Sequence, residues 1–468
     1  MKFDLAIIGA GSAGLSVAAA AAQFGQKVIL FEKDQMGGDC LNTGCVPSKA
    51  LLAAAKAAEA HRSSEGFGVA AHEPGVDFAM AMDHVENVIA TIAPHDSQER
   101  FEGLGVKVVR ANAKFVSSQA IEAGGETYAA RRVVIATGSR PGVPPVPGLI
   151  DVPFFTNESI FRNRVLPSHL IIIGGGPIGL EMAQAHRRLG AQVTVLEAFT
   201  PLAKDDPELT AVVLASLASE AISIRSNVKI ENIEKIPSGV RVHLAGDERI
   251  TGSHLLVAAG RTPNLEDLNL EAAGIAYTKR GITVDQALRT SNRHVYAAGD
   301  VAGGLQFTHV AGYHAGLILR NLLFRLPVKN RTDIIPWVTY TDPELAHVGL
   351  TEKQAKDLHG DGIRVLRWNF AENDRAVTEG KAKGLVKIIT LKNGRIVGAS
   401  IVGPNAGDQI ALYALAVTRK LKVSAIAGTV LPYPTYGEAG KRAAVSFYAK
   451  LAQKPLVRGL VGFLKLFG

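Results

Sequence analysis

Apolar positions gather along this chain in short runs of strand length, and two of those runs open the same pattern. Residues 3–8, FDLAII, precede GAGSAG at 9–14, an alanine-rich stretch to about Gly25, and a second run, KVILF, that leads to Glu32. Residues 170–173, LIII, precede GGGPIG at 174–179, a helical stretch to Gly190, and QVTVL before Glu197. The acid stands 23 residues after the first glycine in both copies, 9 to 32 and 174 to 197. The period switches from strand to helix and back, which predicts two strand–turn–helix–strand units.

A lone glycine triplet says little, because glycine-rich turns are common. Here each copy follows a strand, opens a helix and meets an acid at the end of the next strand, the context a dinucleotide site requires. Gly9, Gly11 and Gly14, and again Gly174, Gly176 and Gly179, permit a tight turn and let backbone N–H groups reach a pyrophosphate at a helix N-terminus. Glu32 and Glu197 then accept hydrogen bonds from a ribose. Two units imply two dinucleotides, and FAD with NAD is the natural pairing. Glu197 is followed by Ala198, Phe199 and Thr200 with no nearby cation for a 2′-phosphate, which favours NAD(H) over NADP(H).

At 468 residues the chain is too long for one compact domain. The proline-rich segment 140–148, RPGVPPVPG, suits neither a helix nor a central strand and suggests a boundary near 150. A further boundary falls between 265 and 285, and the last third, from about 336, mixes strands such as LVKIITL (385–391) with a helical stretch at 408–420. The net charge of +8 comes without a long basic run or a nucleic-acid motif, so no nucleic-acid partner is expected. Residues 5–22 are apolar enough to imitate a signal peptide, but the glycines at 9, 11 and 14 break the run, and a cytoplasmic location is expected.

The chain has two cysteines, Cys40 and Cys45, in GGDCLNTGCVPSKALL at 37–52. A secreted disulfide framework uses more, more widely spread, so a close pair points to chemistry. Gly44 frees the backbone between them, and Pro47 suits the first turn of a helix from about Ser48 to His61. Cys45 is therefore expected near a helix N-terminus, where the dipole favours a thiolate and Lys49 adds charge.

With these segments in view, the chain resembles the class I pyridine nucleotide-disulfide oxidoreductases, among them dihydrolipoamide dehydrogenase, glutathione reductase and mercuric reductase. The resemblance also rests on ATGS (136–139), AAGRTPN (258–264), YAAGD (296–300) and TDPELAHVGLTE (341–352). It implies an α/β fold of two Rossmann-like dinucleotide-binding domains plus an α+β C-terminal dimerisation domain. The expected division is 1–150 for the first part of the FAD domain, 151–275 for the NAD(P) domain, 276–335 for a central segment completing the FAD domain, and 336–468 for the dimerisation domain with a basic tail. It implies that Cys45 lies against the flavin while Cys40 meets the substrate, and that Lys49 pairs with Glu181 where hydride arrives. Asp300 is expected at the ribityl chain, and the helix starting near Thr308 and His309 is expected to aim its N-terminus at the flavin. Ser12, Ala13, Lys33, Gly38, Ala113, Thr137, Gly138 and Gly260 complete the expected cofactor contacts. No resident metal is expected.

One departure bears on substrate. Dihydrolipoamide dehydrogenase and glutathione reductase carry His-Pro-x-x-x-Glu near the C-terminus, reaching into the partner subunit of a homodimer, with the histidine as acid/base. Here the residues are Tyr433, Pro434, Thr435, Tyr436, Gly437 and Glu438. A histidine titrates near pH 6.5, whereas a tyrosine near 10 is a poor base, and losing a positioned base costs about 10²–10⁴-fold. Tyrosine here resembles mercuric reductases, yet no cysteine pair follows Cys45 to receive a metal. The leading expectation is a homodimeric FAD-dependent, NAD(H)-linked enzyme acting on a lipoyl group, free or protein-bound, or another disulfide; the alternative is reduction of a metal ion or quinone. Finally, the tail KPLVRGLVGFLKLFG (454–468) reads as a basic amphipathic helix suited to a membrane surface or a partner, or to packing on its own domain.

Overall fold

The computed structural model describes residues 2–449 and 454–467. The chain divides into two compact units, Met1–Ala198 with Arg225–Thr332, and Phe199–Ile224 with Asp333–Gly468.

In the first unit the opening apolar run becomes the strand Lys2–Ile8, flanked in parallel by Val28–Phe31 and Glu126–Ile135. Lys107–Val109 and Val295–Ala297 extend this parallel sheet, and Ala113–Phe115 with Ala120–Ala123 adds an antiparallel hairpin. Leu5, Ile7 and Leu30 bury on one face, Ala6, Ile8 and Ile29 on the other. Burial on both faces is why these strands read as unbroken apolar runs rather than alternating ones. The helix Ser12–Gln23 covers one face through Ala13, Val17, Ala18 and Ala21, beside the helix Thr308–Phe324.

The second copy of the pattern repeats the plan. His169–Ile173 lies between Gln192–Leu196 and His254–Val257, all parallel, and Pro177–Arg188 supplies the crossover helix. A three-stranded antiparallel sheet, Ile230–Ile236, Gly239–Leu244 and Arg249–Gly252, packs into the same core. The proline-rich connector begins as a short strand, Ser139–Pro141, paired with Arg261–Pro263 in a two-stranded sheet; a proline is tolerated at such an edge.

The second unit is built on a five-stranded antiparallel sheet in the order Trp337–Thr339, Glu344–Gly349, Ile396–Gly403, Leu385–Leu391, Ile363–Asn369. The helices Ala406–Thr418 and Gly437–Ser446 pack on it. Lys387, inside the apolar run 385–391, is only 2 % exposed. Its ammonium donates to both carboxylate oxygens of Asp206 at 2.8 Å and to Glu352 at 3.1 Å, and lies 2.5 Å from Glu208. A cation is tolerated at such depth only when paired in this way. Among the described residues no helix is long and apolar enough to cross a membrane.

Candidate functional site

Both glycine turns are shaped for a phosphate group. Gly9 has φ +104°, and a Cβ there would stand 2.4 Å from the Ala136 carbonyl oxygen; at Gly14 it would stand 1.9 Å from the Gly9 oxygen. The second turn repeats this, with 2.4 Å from Gly174 to the Ala258 oxygen and 2.0 Å from Gly179 to the Gly174 oxygen. By contrast, a Cβ at Gly11 meets nothing nearer than 3.9 Å, and one at Gly176 nothing within 4 Å. Each of these open glycines is the N-cap of its helix with no side-chain cap, so no cap claims the first-turn N–H groups. The two sites thus fit pyrophosphate-bearing cofactors.

The acids after the second strands do something the sequence reading missed. Glu32 accepts from the Ala10 N–H at 2.6 Å and the Asp34 N–H at 2.8 Å, and Glu197 accepts from the Gly175 N–H at 2.6 Å. They tie each glycine turn to the neighbouring strand. Gly38 backs the first turn, where a Cβ would stand 2.8 Å from the Gly11 Cα. Ser12 and Ala13 open the first helix, whereas Lys33 follows Glu32 at the surface. Ala113 points its side chain into the core and pairs with Ala123 across the hairpin. Thr137 donates to the Asn264 carbonyl at 2.8 Å and Asn264 donates back to the Thr137 carbonyl at 2.8 Å, which locks the turns around Gly138 and Gly260.

The thiol pair sits on two consecutive helices. Cys40 lies on the short helix Gly38–Asn42, and Cys45 is the first residue of Cys45–Arg62. That helix starts three residues earlier than the sequence suggested, with Gly44 as its N-cap, so the dipole acts on Cys45 directly. The Thr308 hydroxyl, 3.3 Å from the Cys45 sulfur, opens the helix Thr308–Phe324. The Cys45 thiol is lowered to about 6, chiefly by the Cys40 S–H, then by Thr308 and by the Lys49 charge, against burial and Asp39. Cys40 is pushed up, first by its hydrogen bond with Cys45 and then by burial. One thiolate and one thiol share the site. Lys49 Nζ lies 2.7 Å from Glu181, on Pro177–Arg188, whose side chain is only 5 % exposed. Sequence spacing alone offered no sign of this pair, because 132 residues separate its members.

Around the pair runs a polar network centred on a residue the sequence reading did not single out. Arg261 donates to the Ser139 hydroxyl at 2.7 Å and carbonyl at 2.9 Å and lies 3.2 Å from Asp39, beside Cys40. Ser139 in turn donates to Asp300 at 2.5 Å. Asp39 also accepts from Thr43 and Asn157, both at 2.8 Å. Burial pushes the Asp300 carboxyl above its usual range. The Gly299 N–H beside Asp300 donates to Nδ1 of buried His314 at 3.2 Å, and His309 stacks on Phe307 with ring centroids 5.3 Å apart. His314 is depressed to about 4 by burial.

Tyr433 belongs to the second unit and is 70 % exposed. Its hydroxyl donates to Asp374 at 2.8 Å; that bond and the nearby charges of Asp374 and Glu438 raise the phenol above its usual value. Glu438 stands in the first turn of Gly437–Ser446.

Residues 3–315 match the pyridine nucleotide-disulphide oxidoreductase family, and residues 335–444 match that family's dimerisation domain. The chain belongs to this family. It is accordingly an FAD- and NAD(P)H-dependent oxidoreductase, and its dimerisation domain makes it a homodimer. A mercuric reductase of Bacillus cereus is 34 % identical over 451 residues, covering 95 % of this chain and 71 % of that protein. A dihydrolipoyl dehydrogenase of Geobacillus stearothermophilus is 35 % identical over 467 residues, covering 95 % of this chain and 96 % of that protein. Among solved structures, the Cu(II) complex of the HOCl-induced flavoprotein disulfide reductase RclA from Escherichia coli superposes with a TM-score of 0.86 at 28 % identity, over 95 % of this chain and 99 % of that one.

Proposed function

We propose that this oxidoreductase uses NADH, in preference to NADPH, to keep Cys40 and Cys45 reduced, and that the pair reduces a thiol-binding metal ion rather than free lipoamide. The observation that carries this reading is the Tyr433 phenol donating its proton to Asp374 at 2.8 Å. A phenol engaged as a donor and raised above its usual value does not serve as the base that dithiol oxidation requires. A metal ion captured by thiolate sulfur needs no such base.

Gly9, Gly11, Gly14, Glu32, Thr137, Gly138 and Asp300 would hold FAD, and Gly174, Gly176, Gly179 and Glu197 would hold the nicotinamide dinucleotide. When bound, FAD supplies a relay that accepts two electrons from NADH and passes them on. The chain's own residues set the direction of delivery. Cys45, kept as thiolate by the helix N-terminus, Thr308 and Lys49, is the donor-side sulfur; Cys40, kept as thiol, retains the proton that exchange with an acceptor releases. Lys49 and Glu181 position one another. The thiolate–thiol pair loses two electrons and one proton when it closes to a disulfide, and the hydride of NADH, two electrons with one proton, restores them.

A second reading, oxidation or reduction of a lipoyl group, is favoured by the similarity to dihydrolipoyl dehydrogenase over 96 % of that protein's length. Steady-state NADH oxidation against Hg(II), Cu(II) and lipoamide separates the two. The expected result is metal-dependent turnover lost in Cys40→Ser, weak lipoamide turnover, and a rise of about 10²-fold or more in lipoamide activity on Tyr433→His. Strong lipoamide turnover that Tyr433→His leaves unchanged would establish the second reading instead.

A further inference from the structure

The helix Pro455–Leu464 lies beyond the residues matched by the dimerisation domain, and none of its side chains is buried. Leu456 is 83 % exposed, and Leu460, Phe463 and Phe467 are exposed with it. At about 100° per residue Leu456, Leu460 and Phe463 fall within an arc of roughly 60°, and Phe467 follows in the 3₁₀ turn Lys465–Phe467. The Phe463 and Phe467 rings meet edge to face at 5.1 Å, as residues on one side do. Lys454 and Lys465 fall within roughly 20° of each other on the far side of the same projection. Beyond Glu438 the sequence has six Lys or Arg and no acid.

We propose that this helix is an interfacial anchor that lays its leucine and phenylalanine face into an anionic lipid surface. Ten residues rise about 15 Å, half the thickness of a bilayer core, so the helix lies on the membrane rather than crossing it. Gly459 and Gly462 make it a poor helix in water, and an apolar surface that takes up its face stabilises it. The cations on the opposite side reach the phosphate level, which is the division of labour of monotopic helices. The partner's chemistry follows from the charge: Lys454 and Lys465 select a negative surface over a neutral one. Anchoring places the reductase where an acceptor held at or crossing that surface would meet the thiol pair.

The test is sedimentation of the flavin-loaded dimer with phosphatidylcholine vesicles, with and without phosphatidylglycerol. The anchor requires binding that depends on the anionic lipid and weakens with salt. Lys454→Gln with Lys465→Gln should lower partitioning by about 25-fold, at roughly fivefold per cation. Leu460→Asp with Phe463→Asp should abolish it, with flavin absorbance and NADH oxidation unchanged as the sign of an intact fold. Absence of vesicle binding, equal binding to neutral vesicles, or indifference to the Leu460 and Phe463 changes each overturns the proposal. Dissociation of the dimer by those same changes would likewise overturn it and assign the helix to the subunit interface.

Discussion

Replacing Thr308 with valine keeps the shape of the side chain and removes the hydroxyl that lies 3.3 Å from the Cys45 sulfur. Three supports hold the Cys45 thiol near 6: the Cys40 S–H first, then Thr308, then the Lys49 charge. A hydrogen bond to a charged group contributes about 1.5–3 kcal/mol when dry. Cys45 is open to solvent, so screening by water reduces the loss on Thr308→Val to about 1.4 kcal/mol, one unit of pKa. The midpoint should then move from about 6 to about 7, and the thiolate fraction at pH 6.5 should fall from roughly three quarters to roughly one quarter. The assay is the rate of iodoacetamide alkylation of the reduced protein as a function of pH, with the labelled peptide identified by mass. Cys40, pushed up by its partner and by burial, stays unlabelled across this range. An unshifted midpoint in Thr308→Val, or label on Cys40 rather than Cys45, would refute the account of the asymmetric pair.

Other expectations follow from geometry already described. Gly179→Ala puts a methyl 2.0 Å from the Gly174 oxygen and should raise the KM for NADH about tenfold or more while flavin content is kept; Gly14→Ala, at 1.9 Å from the Gly9 oxygen, should instead yield protein depleted of flavin. Lys387→Met leaves Asp206, Glu208 and Glu352 without the ammonium they surround and should cost about 3–5 kcal/mol in urea unfolding; an unchanged midpoint would mean the charge cluster is dispensable. Burial depresses His186, His314 and His347 from 6.5 to about 4, so the unfolded chain binds these protons first. Stability is therefore full above pH 6.5 and is lost as pH falls toward 4, by up to about 3 kcal/mol per ring, which acid titration of the unfolding midpoint should show.

The parts of the site that backbone chemistry dictates were legible in the sequence. A glycine that cannot carry a Cβ leaves a mark at a fixed spacing from a strand, and the repeat at Gly9 and Gly174 exposed both turns. The helix after the cysteines is legible too, with Pro47 in its first turn, although the sequence suggests a start near Ser48, three residues late. In the structure Gly44 caps it and Pro47 lies inside the first turn, where no N–H is needed. Contacts between distant side chains left no such mark. Thr308 meets Cys45 across 263 residues, and Arg261 reaches Ser139 across 122 and Asp39 from farther still. Nothing in periodicity or composition encodes those meetings. Lys387 is another such case: a cation within an apolar strand run, it is buried because three acids from elsewhere in the second unit surround it, and the run itself does not name them.

Electron input and electron output are built on different parts of the chain. On the input side, Cys45, Lys49, Glu181 and Thr308 belong to the unit that carries both glycine turns, and each is held at a helix position by the backbone. In the proposed reading the output side depends on one side chain, Tyr433, at the head of a Pro-x-x-x-Glu segment. Tyr433 is held by Asp374 of its own unit, so its replacement by histidine alters a proton path without touching the residues that reduce the thiols. The two steps should therefore separate in kinetics. Changes at Tyr433 should move turnover with lipoamide while the rate at which NADH reduces the enzyme stays constant, and changes at Thr308 or Lys49 should alter that reductive step for every acceptor alike.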